Sequence, residues 1–299
     1  MGREAFFGYL RLARPAGALT ATTNVIAGRL LAGPFALGDD LLPLLAVMGS
    51  SFCLYSSGVV LNDVVDVETD RIARPDRPLP GGAVSDRSAR LLCFSLAAMG
   101  LVLAFSAGRE AFFAASAVLF LVLAYDLHAK RRGLLGALVL GGCRFGNVLL
   151  GAAASGAGTS PEVGFAGLLA YPELAHAVGM GLFALALTAA SLSEEETRQR
   201  RALAPSVGLL ILCVIVPGLR GQIWSWVLLL PLAAILVVRG VSALRRTGRE
   251  PVERLVRSAV LGISVLDAGA LLAWGHVTGA GAVLGIVLLT RLMVRFFPT

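Results

Sequence analysis

The stretch Asn62-Asp63-Val64-Val65-Asp66-Val67-Glu68-Thr69-Asp70 follows directly on an apolar run over 43–62. A run of about 20 apolar residues is what a helix needs to cross a bilayer. Carboxylates therefore stand at the mouth of a membrane span. At about 100° per residue, Asp63, Asp66 and Asp70 fall within roughly 60° of one another on a helix. Three carboxylates on one narrow face repel unless a cation lies among them. Oxygen-only donors suit a hard ion such as Mg²⁺, which binds through a few carboxylates plus phosphate oxygens. The plain alternative is a solvated acidic helix end neutralised by nearby arginines.

The rest of the chain agrees with a membrane reading. Of its 299 residues 57% are hydrophobic and 15% charged, against about 25% charged in soluble domains. Apolar segments fall at 16–36, 43–62, 88–107, 111–126, 134–155, 174–192, 205–219, 222–239, 257–275 and 279–296. The segments 205–219 and 222–239 are short and separated by Pro217, Gly218 and Gly221, so they read either as two helices or as one broken element. The predicted fold is all-α, with nine or ten transmembrane helices in a single domain over 1–299. Cys53, Cys93, Cys143 and Cys213 all lie in apolar runs without metal-ligand spacing and read as small buried hydrophobes.

The net charge of +7 does not point to nucleic acid, because the basic residues sit in short loops between apolar segments. With the N-terminus in the cytoplasm and every segment crossing, 22 of the 26 lysines and arginines fall on the cytoplasmic face. That is the bias expected of a multi-pass protein. Arg109 and Arg220 lie on the other side, and Arg29 and Arg144 within spans. The cytoplasmic face then gathers three polar clusters, at 62–80, 125–132 and 191–201.

In the first cluster the acidic run leads into Arg71-Ile72-Ala73-Arg74-Pro75-Asp76-Arg77-Pro78-Leu79-Pro80-Gly81-Gly82. Arginine forks suit phosphate, and three prolines stiffen the loop. Arg74 and Arg77 are the candidate phosphate ligands, with Asn62 beside the acids. The second cluster, Tyr125-Asp126-Leu127-His128-Ala129-Lys130-Arg131-Arg132, offers Lys130 as a point charge for phosphate, with Arg131 and Tyr125 near it. A positive-inside anchor is the competing reading. Within the spans, Asn24, Arg144, Asn147 and Asp267 are polar groups at membrane depth, which normally face an interior or a cavity. Arg144 and Asp267 are candidates to pair, and Asn24, Arg144 and Asn147 to line an interior cavity that binds a substrate. Arg29 is expected to snorkel to the outer interface, and His176 and His276 to be interfacial.

Asn-Asp-x-x-Asp-x-x-x-Asp followed by Arg-x-x-Arg-Pro-Leu-Pro-x-Gly resembles the signature of the UbiA superfamily of intramembrane prenyltransferases. Leu12-Ala13-Arg14-Pro15 is similar to the family's Arg-Pro start of the first helix, and 125–132 to its Tyr-x-x-x-Lys-Arg segment. The resemblance implies about nine helices around a central cavity. It also implies Mg²⁺, an isoprenyl diphosphate donor and a small hydrophobic or aromatic acceptor. Asp63, Asp66 and Asp70 match the first acidic motif. The family's second motif, Asp-x-x-x-Asp, falls on Leu192 to Glu196, so its first acid is absent and its second is a glutamate. Glu194 and Glu195 are candidates to supply the missing oxygen, and Glu196 to serve with the aspartates in metal binding and catalysis. The altered motif is similar to that of an EboC-type branch of the superfamily. It motivates a second reading, a non-catalytic relative that binds or moves an isoprenoid or hydrophobic metabolite. A transporter is a third, against which no inverted repeat of broken helices is visible. The expected location is a cell membrane, the inner membrane of a bacterium, with the active site facing the cytoplasm.

Overall fold

The structure, a computed structural model, describes residues 3–155, 171–192, 203–246 and 248–296. Twelve α-helices occur among them. They are α1 Arg3–Ala13, α2 Pro15–Leu31, α3 Leu37–Val65, α4 Val67–Ala73, α5 Asp86–Ala107, α6 Arg109–Ala124, α7 Leu134–Ala153, α8 Pro172–Ser191, α9 Leu203–Arg220, α10 Trp226–Arg245, α11 Arg249–Ala273 and α12 Val277–Phe296. Eight helical stretches, α3 and α5–α11, are long and apolar enough to cross a membrane. The chain is a multi-pass membrane protein.

Local chemistry sets the helix ends. Pro15 and Pro172 open α2 and α8, where a missing N–H costs nothing because the first turn has no acceptor for it. Ser85 caps α5, its hydroxyl accepting from the Ser88 amide at 3.2 Å. The ambiguous region 205–239 is two helices. Helix α9 runs through Pro217 to Arg220, and a short 3₁₀ turn, Ile223–Ser225, leads into α10. The turn is fastened to the end of α11, where the Gln222 amide donates to the Ala273 carbonyl at 2.8 Å.

Helix α2 packs against α3, α7, α8, α11 and α12, which explains why it is buried almost all round. Its contact with α7 brings the two backbones together. A Cβ added at Gly28 would collide with the Val148 carbonyl oxygen, and one at Gly151 with the Val25 carbonyl. Only two glycines let the backbones meet, as small residues do between membrane helices. One hydrophobic cluster joins α7 to α11 through residues such as Phe183, Leu210 and Leu236. A second joins α2, α3, α6 and α12 through Val25, Val47, Val118 and Val283. A third, smaller one holds Leu12, Val60, Val64, Leu79, Val84 and Ala89 together. It pins α1 and the loop after α4 onto α3 and α5, at the end where α3 presents its acids.

Arg29 does not snorkel. It is 1% exposed, its guanidinium pairs with Asp40 at 2.6 Å and donates to the Pro34 carbonyl at 3.0 Å. A carboxylate four residues into α3 meets the charge locally through Nη2.

Candidate active site

The acidic run does not continue as one straight helix. Helix α3 stops at Val65, Asp66 sits at φ −95°, ψ 5°, and α4 begins at Val67. The bend splits the three carboxylates that a straight helix would align. Asp63 and Asp70, both buried, share Arg77, whose Nη1 lies 3.4 Å from Asp63 and 2.5 Å from Asp70. Asp66 turns instead toward the second cluster, where Lys130 Nζ lies 2.8 Å and Arg131 Nη2 3.6 Å from its carboxylate.

Arg77 is held in place by its loop. The Gly81 amide donates to the Arg77 carbonyl at 2.8 Å, and the Val84 amide to the Pro78 carbonyl at 3.1 Å. Leu79 and Val84 are buried in the third hydrophobic cluster. Lys130 is positioned by a π-helical turn, Tyr125–Ala129, that ends the sixth helix. Such turns are uncommon and recur at functional sites. Within it Asp126 is buried and accepts from Asn62 Nδ2 at 2.9 Å, tying the turn to α3 one residue before Asp63. Tyr125 stands half-buried beside it, and Arg74 is exposed at the end of α4.

Arg14 joins this cluster from the start of α2. Its Nη2 donates to Asp63 at 2.8 Å. Its backbone is left-handed, φ 44° and ψ 60°, alone among the described non-glycine residues. That conformation costs about 1–3 kcal/mol. The Gly17 and Ala18 amides donate to its carbonyl, and Leu12 is fully buried just before it. The sequence carries a signal for this residue in Arg-Pro, though not for its pairing with Asp63.

Four cations, Arg14, Arg77, Lys130 and Arg131, thus surround Asp63, Asp66 and Asp70. Among the described residues no three histidine, cysteine, aspartate or glutamate side chains lie close enough to form a metal site. Asp63 and Asp70 nevertheless aim at one shared point, now held by a single guanidinium nitrogen. Two converging carboxylates with only oxygen donors fit a hard divalent ion. Glu194, Glu195 and Glu196 lie outside the described residues.

A second polar group lies deeper. Asp267, fully buried in α11, accepts from Thr23 Oγ1 at 2.7 Å and from Asn24 Nδ2 at 2.8 Å. Its other oxygen lies 2.8 Å from His176 Nε2. His176 is therefore not interfacial: it is 6% exposed and bound to a carboxylate. Arg144 and Asp267 do not pair directly. Arg144 Nη1 donates to Asn24 Oδ1 at 2.9 Å, so Asn24 bridges them. Asn147 donates to the Ala21 carbonyl at 2.7 Å. Arg144 and Asn147 line a cavity of about 50 Å³ with Ser51 and Tyr55. Asn24 stands behind that wall. A larger, mostly apolar cavity of about 180 Å³ lies between α8, α9 and α11 with His176 on its wall.

The chain matches the model of the UbiA prenyltransferase family over residues 22–263. A digeranylgeranylglyceryl phosphate synthase of Methanopyrus kandleri is 33% identical over 156 residues, 52% of this chain and 55% of that protein. The enzyme of the same name from Metallosphaera sedula is 41% identical over 85 residues, 28% of this chain and 30% of that protein. The chain spans about half or less of the length of these relatives. Among solved structures, the apo form of a UbiA homolog from Aeropyrum pernix K1 superposes with a TM-score of 0.65 at 22% identity, covering 85% of this chain and 97% of that one. A UbiA homolog from Archaeoglobus fulgidus bound to DMAPP and Mg²⁺ superposes at 0.62 and 18% identity, covering 93% and 99%. These two likenesses establish a shared fold.

Proposed function

The chain belongs to the UbiA prenyltransferase family, and on that premise we propose that it transfers a prenyl group from an isoprenyl diphosphate to a hydrophobic acceptor within the membrane. One domain over 1–299 would carry the reaction. The observation that supports this most is the convergence of Arg14, Arg77, Lys130 and Arg131 on Asp63, Asp66 and Asp70 at the end of a membrane helix. A hydrophobic chain with an anionic head matches such a boundary. The apolar tail lies among helices while the head meets the charges.

Asp63 and Asp70, which converge on one point, would hold Mg²⁺, with Asp66, paired here with Lys130, and Glu194, Glu195 and Glu196 as further candidates. When bound, the ion would neutralise diphosphate oxygens as charge builds on them. Arg77, Arg74, Lys130 and Arg131 would hold the same oxygens through charge-assisted hydrogen bonds, with Asn62 and Tyr125 fixing the cluster between α3 and α6. In the reaction the bond from C1 to the diphosphate oxygen breaks and its electron pair leaves with the diphosphate. A nucleophilic atom of the acceptor bonds to C1 and releases a proton, which a carboxylate of the cluster takes. Positive side chains aimed at the leaving group favour the bond-breaking step, because they need no reorientation as the charge appears. Asn24, Arg144 and Asn147 would serve the acceptor.

The test is direct. Protein reconstituted in lipid with Mg²⁺ and dimethylallyl or geranyl diphosphate, together with a membrane lipid extract, should release inorganic diphosphate and form a prenylated lipid-soluble product. Chelation of the metal and Asp66→Ala should each stop both. No diphosphate release from intact protein, with cellular function unchanged in Asp66→Ala, would leave a binding or carrier role instead.

A further inference from the structure

The apolar cavity of about 180 Å³ between α8, α9 and α11 lies at the other end of the bundle from the acidic cluster. Helix directions place it there. An added Cβ at Gly141 would meet Leu185, and one at Gly181 would meet Phe145, one turn further along α7. Helices α7 and α8 therefore run antiparallel. Helix α7 begins just after Lys130, which holds Asp66, so the start of α8 at Pro172 is the end away from the acids. Pro172, Arg220 and Trp274 line the cavity together, which sets its mouth at that end.

Four features give the cavity a purpose. Its walls run from Pro172 to Leu182 on α8 and from Leu209 to Arg220 on α9. At about 1.5 Å per residue that is roughly 15–16 Å, or half of a hydrocarbon core of about 30 Å. The cavity is thus one leaflet deep. It also opens sideways, because Leu182, Leu212 and Val216 line it and are exposed on the outside of the bundle. An apolar crevice facing hydrocarbon does not hold water, and left empty it forfeits the contacts of every atom on its walls. Third, α8 carries a notch. Gly179 stands on the same face as His176 and Leu182, and a Cβ added to it would meet nothing within 4 Å. Fourth, the mouth is built for an interface. Tyr171, Trp224 and Trp274 are exposed at that end, where aromatic side chains meet headgroups. Among the described residues the lining carries one arginine, the exposed Arg220, and no acid. A guanidinium there suits a phosphate.

We propose that this crevice is a binding site for a membrane phospholipid of the leaflet opposite the acidic cluster. One apolar chain lies between α8 and α9 against Gly179, and the phosphate meets Arg220. The chain covers His176, whose Nε2 lies 2.8 Å from Asp267, and shields that pair from water. The site is separate from the diphosphate cluster and does not depend on the prenyl-transfer reading.

Photolabelling of the intact protein in phosphatidylcholine nanodiscs tests this. Three probes each carry a diazirine along an apolar chain: phosphatidylglycerol, diacylglycerol and farnesyl diphosphate. Labelled peptides are quantified by mass spectrometry, with the exposed helices α5 and α6 as the measure of ordinary lipid contact. Phosphatidylglycerol should label α8 and α9 about five-fold or more above α5 and α6, and about three-fold or more above diacylglycerol. Gly179→Phe, which fills the notch, should bring that label down to the level of α5 and α6. Arg220→Gln should erase the difference between phosphatidylglycerol and diacylglycerol while the protein melts like wild type. Labelling of α8 and α9 no stronger than that of α5 and α6, or unchanged in a folded Gly179→Phe protein, shows bulk lipid only and overturns the proposal. Equal labelling by phosphatidylglycerol and diacylglycerol overturns it too, because the phosphate then takes no part. Stronger labelling there by farnesyl diphosphate gives the crevice to a prenyl chain instead. Should Gly179→Phe fail to fold, the comparison of probes on wild type and Arg220→Gln decides alone.

Discussion

Replacing Asp267 with alanine takes the shared acceptor from Thr23, Asn24 and His176 at once. Removing one member of a buried charged network costs about 3–5 kcal/mol. Asp267→Ala should therefore lower the melting temperature of the detergent-solubilised protein sharply, while Asp267→Asn, which keeps an acceptor oxygen, should lower it less. Equal melting of both variants would show that the carboxylate does not organise the network. At the acidic end the expectation is different. Asp66 is half-buried, and of its partners Arg131 is exposed while Lys130 is mostly buried, so Asp66→Asn, which keeps an acceptor oxygen for Lys130, should cost about 1–3 kcal/mol of stability. It should still reduce diphosphate release at least about a hundred-fold, read as inorganic diphosphate per protein. The three aspartates and their cations were legible as a motif because their spacing is local. The bend at Asp66 was not, since it answers to Lys130 and Arg131 from a different helix. His176 was misread for the same reason: its partner is 91 residues away in sequence, and an isolated histidine near a helix end carries no trace of it.

At the scale of elements, the contact between α2 and α7 governs whether Asn24 and Arg144 meet. Gly28 and Gly151 each face a backbone carbonyl of the opposite helix. A methyl group there cannot be absorbed by rotating a side chain, so the helices must separate. Gly151→Ala and Gly28→Ala should each destabilise by about 1–3 kcal/mol and lower prenyl transfer more than melting alone explains, because the hydrogen bond from Arg144 to Asn24 lengthens with the gap. An alanine at Gly285, where an added Cβ meets nothing, is the control and should melt like wild type. Ten apolar segments in the sequence correspond to the ten longer helices, because hydrophobic length is a local property. Sequence left α9 and α10 ambiguous, since Pro217 within a helix and a helix break look alike until Gln222 is seen tied to Ala273. Helix α1 escaped notice because it is short and depends on packing against α3 for its place, and α4 read as a continuation of α3.

For the whole molecule, orientation decides which compartment supplies the donor. A diphosphate carries several negative charges, and even one charge is expensive at the bilayer centre. On the proposed reaction the donor would reach Asp63, Asp66 and Asp70 from the side those residues face. We propose that this side is the cytoplasm, since 22 of 26 lysines and arginines fall there when every segment crosses from a cytoplasmic N-terminus. That proposal requires α9 and α10 to cross separately, so that 239–257, where six of those cations lie, returns to the same side. Two exposed positions at opposite ends of α3 provide the test, Ala36 before it and Asp76 in the loop beyond α4. In a background with Cys53, Cys93, Cys143 and Cys213 changed to alanine, Ala36→Cys should react with a membrane-impermeant maleimide in intact cells. Asp76→Cys should react only after the membrane is opened. The reverse pattern would turn the acidic cluster outward, and a cytoplasmic isoprenyl diphosphate could no longer be its substrate.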